Sequence, residues 1–301
     1  MAAHGTTTGL RRSSGVIAPS SWTVLGATAD VSWTLDPGPV LLVLLLAGLY
    51  LPRWWRVRRD DGAAAAPVWR LCSYLAGLVC LIIALISPID RLAEQSFTFH
   101  MSQHVLLLDL VPIGLIGGLT KVLLRPATRR LLALEHALGW LMHPAVAVVL
   151  YIVAMWAWHV PAAYDAALNH ATVHVLEHVV FLSVGLLYWW QLLSPIRSRF
   201  HTTVMGPLVY MLSTKLGVGI LGIALTFAPN ALYPYYEHRP PIFGLTVDGD
   251  QSLGGEIMTL EQMIVMGVAL AILLFRALEQ SERELRREEH LEDLREAGEI
   301  P

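Results

Sequence analysis

Hydrophobic residues in this chain come in seven long runs, near positions 37–55, 68–87, 97–119, 143–161, 171–193, 203–227 and 254–276, separated by short polar or basic stretches. Each run is about long enough to cross a hydrocarbon core of roughly 30 Å as a helix rising about 1.5 Å per residue. The pattern predicts an all-α, polytopic membrane protein: a seven-transmembrane-helix bundle. The third and sixth runs contain Pro112 or several glycines, which membrane helices tolerate when neighbours satisfy the freed backbone groups. Residues 1–34 are small and polar and read as a disordered extracytoplasmic tail. No apolar stretch follows Arg11 and Arg12, so a cleaved signal peptide is not expected. Residues 35–276 form the predicted transmembrane domain. Residues 277–301 repeat Glu and Arg at helical spacing, Glu282 with Arg286 for example, and read as a charged cytoplasmic helical tail.

Composition agrees with a bilayer setting. Of 301 residues, 55% are hydrophobic and 15% are charged, where a soluble domain carries about 25% charged residues. No basic tract interleaved with aromatics points to nucleic acid. Cys72 and Cys80 share one apolar run. Eight helical residues separate them by about 12 Å, too far for a disulfide, so both read as buried core thiols.

Lys and Arg then give an orientation. Arg53, Arg56, Arg58 and Arg59 occupy the first loop, Lys121, Arg125, Arg129 and Arg130 the third, and Arg197 and Arg199 the fifth: ten in all, against Arg91 and Arg239 in the intervening loops. The odd loops are predicted to be cytoplasmic, with the N-terminus outside and the C-terminus inside. Trp54, Trp55, Trp189 and Trp190 then fall at inner ends and Trp156 and Trp158 near an outer end, as aromatic belts do.

Orientation turns spacing into depth. His100 and His104 open the third run four residues apart, and His170, His174 and His178 form a second column with Glu177 beside it. His159 ends the fourth run, and Glu256 and Met258 lie near the start of the seventh. Six of twelve histidines therefore collect in one outer layer. Deeper, Asp109 and Lys215 sit near the midplane by residue count, where charges usually pair, and Glu261 is expected to face the bundle interior.

Ionisable groups within a bilayer are a functional hypothesis by default. Imidazole suits copper, zinc, iron and nickel, and thioether adds preference for Cu(I). His100, His104, His174 and His178 are the predicted copper ligands. His159, Glu177, Met101, Met258, Glu256 and Gln103 are further ligands or groups that orient ring nitrogens. Zinc is the alternative, because His174-Val175-Leu176-Glu177-His178 matches the inverted zinc-protease string, with Glu177 as base of an intramembrane metallohydrolase. A bis-histidine haem site, a transporter using Asp109 and Lys215, and a metal-free assembly scaffold stay open.

The chain also carries an ordered set of strings: His100-Met101-Ser102-Gln103-His104 with Pro112 downstream, His143-Pro144, Trp156-Ala157-Trp158-His159-Val160-Pro161, and Tyr164-Asp165-Ala166-Ala167-Leu168. They continue with His174 to His178, Leu225-Thr226-Phe227-Ala228-Pro229, Tyr233-Pro234-Tyr235-Tyr236 and Asp250-Gln251-Ser252-Leu253-Gly254-Gly255. This order resembles the CtaG-type assembly factors of caa3-type cytochrome c oxidase, over about residues 95 to 276. The resemblance implies a multi-pass, non-enzymatic protein of the bacterial plasma membrane. It also implies oxidase subunits as partners, alongside the lipid bilayer, and a role at the oxidase copper centre on the outer side.

Overall fold

The computed structural model describes residues 21–24, 27–196 and 206–296. It is a helical bundle whose helices follow the apolar runs. The long helices are α1 (Pro37–Asp60), α2 (Val68–Leu85), α9 (Ala171–Leu193), α10 (Gly206–Thr226) and α12 (Val247–Glu296). The third run is α4 (Phe97–Val105), a π-helical turn (Leu106–Leu110) and α5 (Val111–Gly117) in continuous succession. Short α3 (Pro88–Ala93) precedes it, and the short helices α8 (Pro161–Asn169) and α11 (Pro234–Glu237) lead towards α9 and α12.

Among the described residues, six helical stretches are long and apolar enough to cross a membrane. A seventh is obtained if α6 (Lys121–Leu138), a 3₁₀ turn (Gly139–Met142) and α7 (Pro144–Trp158) are taken as one span bent by 68°. Pro144 at the first position of α7 ends the preceding hydrogen-bond ladder there, and His143 caps the new helix by accepting from the Ala145 N–H through Nδ1 at 3.2 Å. The third basic loop of the sequence reading is therefore largely helical, with Lys121, Arg125, Arg129 and Arg130 on α6. Arg197 and Arg199 lie outside the described residues.

Close helix contacts come from small residues, as is usual where lipid leaves no hydrophobic drive between helices. Gly77 of α2 faces Gly114 of α5, and a Cβ built at Gly77 would come 2.7 Å from the Leu115 nitrogen. In the middle of α1, Tyr50 stacks on Tyr74 of α2 with ring centroids 3.6 Å apart and donates to the Gly118 carbonyl at 2.9 Å.

The tail expected to be disordered is ordered in part. Ser21–Val24 and Ala27–Asp30 pair as an antiparallel β-hairpin, with Trp22 opposite Ala29. Gln95 ties it down by accepting from the Asp30 N–H at 2.9 Å and donating to the Asp30 carbonyl at 3.2 Å. Composition alone misses this, because the docking partner is 65 residues away. Residues 1–20 lie outside the described residues.

Two further expectations are corrected. Cys72 is exposed and Cys80 half-buried, both free thiols rather than core residues; a lipid-facing surface accepts a weakly polar thiol as a core does. Trp189 is no belt residue: it is buried and donates its indole N–H to Asp109 at 2.7 Å. Trp54 is likewise buried. The charged tail is continuous with the last apolar run in α12, a 50-residue helix of about 75 Å. Glu279 with Arg283 at 2.8 Å and Glu282 with Arg286 at 3.3 Å lace its exposed end.

Candidate functional site

Four elements meet at the end of the bundle that carries the hairpin. Asp250, in the first turn of α12, caps α4 from outside that helix. Its carboxylate accepts from the Phe97 N–H at 2.7 Å, the Thr98 N–H at 3.2 Å and the Ser96 hydroxyl at 2.7 Å. A carboxylate on the first turn satisfies N–H groups that have no partner within the helix, and it suits the helix dipole. This clamp sets the position of His100 and His104 one and two turns further on.

His100 and His104 are fully withdrawn from solvent, and so is Glu177 of α9. Glu177 stands between them, with Oε2 3.6 Å from His100 Nε2 and Oε1 3.4 Å from His104 Nε2. Neither contact has hydrogen-bond geometry. Both ring nitrogens of His100 and of His104, both oxygens of Glu177, and Nε2 of His174 and His178 are buried without a hydrogen-bond partner. Ligand atoms of His100, His174 and Glu177 lie within 4.8 Å of one another. Buried polar groups are almost always hydrogen-bonded, so these atoms have capacity for a further partner. Two imidazoles and a carboxylate fit a transition-metal ion, and the unpaired nitrogens and oxygens are the donors such an ion requires.

A softer pair adjoins them. His159, at the end of α7, has Nδ1 2.6 Å from the Met155 carbonyl and Nε2 3.2 Å from the Met101 sulfur. A carbonyl only accepts, so Nδ1 is assigned the proton and the Nε2 lone pair faces the thioether. The rings of His104 and His159 are 5.7 Å apart, which makes one continuous cluster of the two pairs.

The structure thus brings together His100, His104, His174, Glu177, Met101 and His159. The four histidines named from spacing do not share one centre. The His178 ring lies 4.2 Å from that of His174, tilted by 54°, and neither His104 nor His178 is in the convergent set, whereas Glu177, expected to orient a ring, is in it. One turn of helix puts side chains on the same face but not at the same point. Gln103 is turned away: its amide donates at 2.8 Å to both the Ala84 carbonyl and Asp90. Glu256 and His170 are exposed and stand outside the cluster, His170 as the cap of α9. Met258 is buried in the core.

Sequence reasoning named no role for Asp250, Tyr164, Tyr233 or Tyr236. The Tyr164 ring lies 4.9 Å from that of His100, and its hydroxyl shares a hydrogen bond of 3.2 Å with Tyr236. Tyr236 donates to the Ala93 carbonyl at 2.9 Å, and Tyr233 to the His159 carbonyl at 3.1 Å. Burial pushes the Tyr164 and Tyr236 hydroxyls well above the ordinary tyrosine range, so they stay protonated walls of the cluster. Their only signal in the sequence is their place in the ordered strings.

Fold and site together define a polytopic helical membrane protein with a buried histidine–carboxylate cluster at one end of its bundle. The chain belongs to the cytochrome c oxidase caa3 assembly factor family (Caa3_CtaG), whose model matches residues 48–280. It is 24% identical over 285 residues to an uncharacterised protein of Mycobacterium leprae (strain TN), covering 87% of this chain and 42% of that protein. It is 25% identical over 223 residues to an uncharacterised protein of Mycobacterium bovis, covering 69% and 34% of the two chains. The chain therefore spans less than half the length of these curated relatives. No solved structure matches it significantly.

Proposed function

We propose that this protein assists assembly of cytochrome c oxidase by holding a copper ion, as cargo, in the cluster of His100, His174 and Glu177, on the outer side of the bacterial plasma membrane. The observation that carries the reading is Glu177. It has 0% exposure, both oxygens lack hydrogen bonds, and its nearest polar neighbours are imidazoles. A buried carboxylate in that setting is costly unless a cation joins it. Imidazole and carboxylate suit Cu(II), and the neighbouring His159 and Met101 offer the softer pair that Cu(I) prefers. The outer location rests on the bias of Lys and Arg between loops.

Glu177 stands within the donor cluster itself, close to both His100 and His104. A general base needs a carboxylate free to take a proton from bound water. The arrangement therefore favours holding an ion over hydrolysis, and the protein is read as non-enzymatic.

The test is metal content, by mass spectrometry, of purified protein loaded separately with Cu(I), Cu(II) and Zn(II). About one copper per chain is expected, lost in His100→Ala and Glu177→Gln, with oxidase copper content reduced in cells carrying either variant. Zinc retained with copper excluded would revive the hydrolase. No metal in any sample would leave a scaffold.

A further inference from the structure

A cavity of about 610 Å³ opens beside the buried cluster, bordered by the starts of α1 and α9 and by α3. At about 30 Å³ per water it could hold on the order of twenty molecules. Asp36, Asp90 and Glu94 line it with carboxylates, and His174 and His178 with imidazoles. Its one guanidinium, Arg91, is already 3.6 Å from Glu94. Three carboxylates against one guanidinium leave a formal excess of two negative charges on the wall.

Acidic walls are common on proteins and carry little alone. Here a second observation points inward. His174 belongs both to the cavity wall and to the convergent set with His100 and Glu177. Behind that wall lies Glu177, wholly buried, with both oxygens unpartnered. His174 and His178, one turn apart on α9, both line the cavity, their rings 4.2 Å apart and their Nε2 atoms buried without a partner.

We propose that this cavity is the port by which a small cation reaches the buried cluster. Asp36, Asp90 and Glu94 draw the cation in, and His178 and His174 pass it to Glu177 and His100. A cleft lined by one sign of charge raises the local concentration and arrival rate of the opposite charge by about 10- to 10³-fold. The copper destination rests on the proposed function, whereas the port's preference for cations does not.

Two measurements on the full chain in nanodiscs test this. In the first, Ala171→Cys, which lines the cavity, is introduced into a Cys72→Ser, Cys80→Ser background. Its reaction with cationic and anionic methanethiosulfonates of equal size is then timed. The cationic reagent is expected to react about tenfold faster relative to a free thiol. Asp36→Asn with Glu94→Gln should abolish that preference; Asp90 is left in place because it holds Gln103. In the second, Cu(I) uptake from a weak chelator is followed by stopped flow. Loading should slow by about fivefold or more in Asp36→Asn, Glu94→Gln, and on labelling the Ala171→Cys chain with the bulky cationic reagent. Equal reaction with both reagents, or Cu(I) uptake indifferent to the label, overturns the port. A chain that takes up no Cu(I) overturns the copper reading instead, and the reagent ratio then decides alone for or against a cation port.

Discussion

The Lys215 ammonium lies 3.3 Å from the Asp109 carboxylate, with both side chains almost wholly buried. Asp109 also accepts from the Tyr151 hydroxyl at 2.8 Å and the Trp189 indole at 2.7 Å. A second carboxylate, Glu261, stands 3.7 Å from the same ammonium. The π-helical turn at Leu106–Leu110 bears Asp109; such turns reposition a side chain within a helix. Lys215→Met should destabilise the protein by about 3–5 kcal/mol, because Asp109 loses its counter-charge. Asp109→Asn with Lys215→Met should be less destabilised than the sum of the single variants. Unfolding of the four chains in detergent, taken as a double-mutant cycle, checks this; strict additivity would mean that the pair is not coupled.

Asp250 acts on the cluster without touching it. Asp250→Ala removes the partner of two N–H groups and a hydroxyl at the start of α4. A lost cap costs about 1–2 kcal/mol. Copper affinity should fall on the order of 10- to 100-fold, the usual effect of losing a group that positions ligands. Competition titration against a chelator measures it. Affinity unchanged with stability lowered would separate the cap from the cluster.

The three-histidine column of α9 divides by structure. His170→Ala should leave copper content unchanged, because His170 is exposed at the helix cap. His174→Ala should lose copper, because His174 belongs to the convergent set. Equal loss in both variants, read by mass spectrometry, would restore a column in place of a centre.

Gly114 and Gly48 are both helix glycines in apolar runs, yet their surroundings differ. A Cβ at Gly114 would meet the Gly77 backbone at 2.5 Å, and one at Gly48 would meet nothing within 4 Å. Gly114→Val should cost about 3 kcal/mol or more by overpacking against backbone that cannot move aside. Gly48→Val should stay within about 0.5 kcal/mol of wild type. Thermal unfolding of the two variants gives the comparison.

Hydropathy placed the long helices well because it reports what lipid demands of each residue separately. Runs 68–87 and 171–193 end within a few residues of α2 and α9. It could not give the 68° bend at His143 or the hairpin docked on Gln95, since both depend on where a chain turns against distant partners.

What the sequence by itself determined was chemistry at a level. Helical spacing and run ends put His100, His104, His159, His174 and Glu177 near one depth, and they singled out Asp109 and Lys215 as buried charges. Depth follows from rise per residue and needs no knowledge of neighbours. Direction around the helix axis was left to packing. Tertiary structure decided that Glu177 stands between His100 and His104, that Gln103 turns to Asp90, and that His170 and Glu256 face outward. Those outcomes depend on which helices touch, through contacts such as Gly77 on Gly114 and Asp250 on α4. Such contacts join residues far apart in the chain, and no local pattern encodes them.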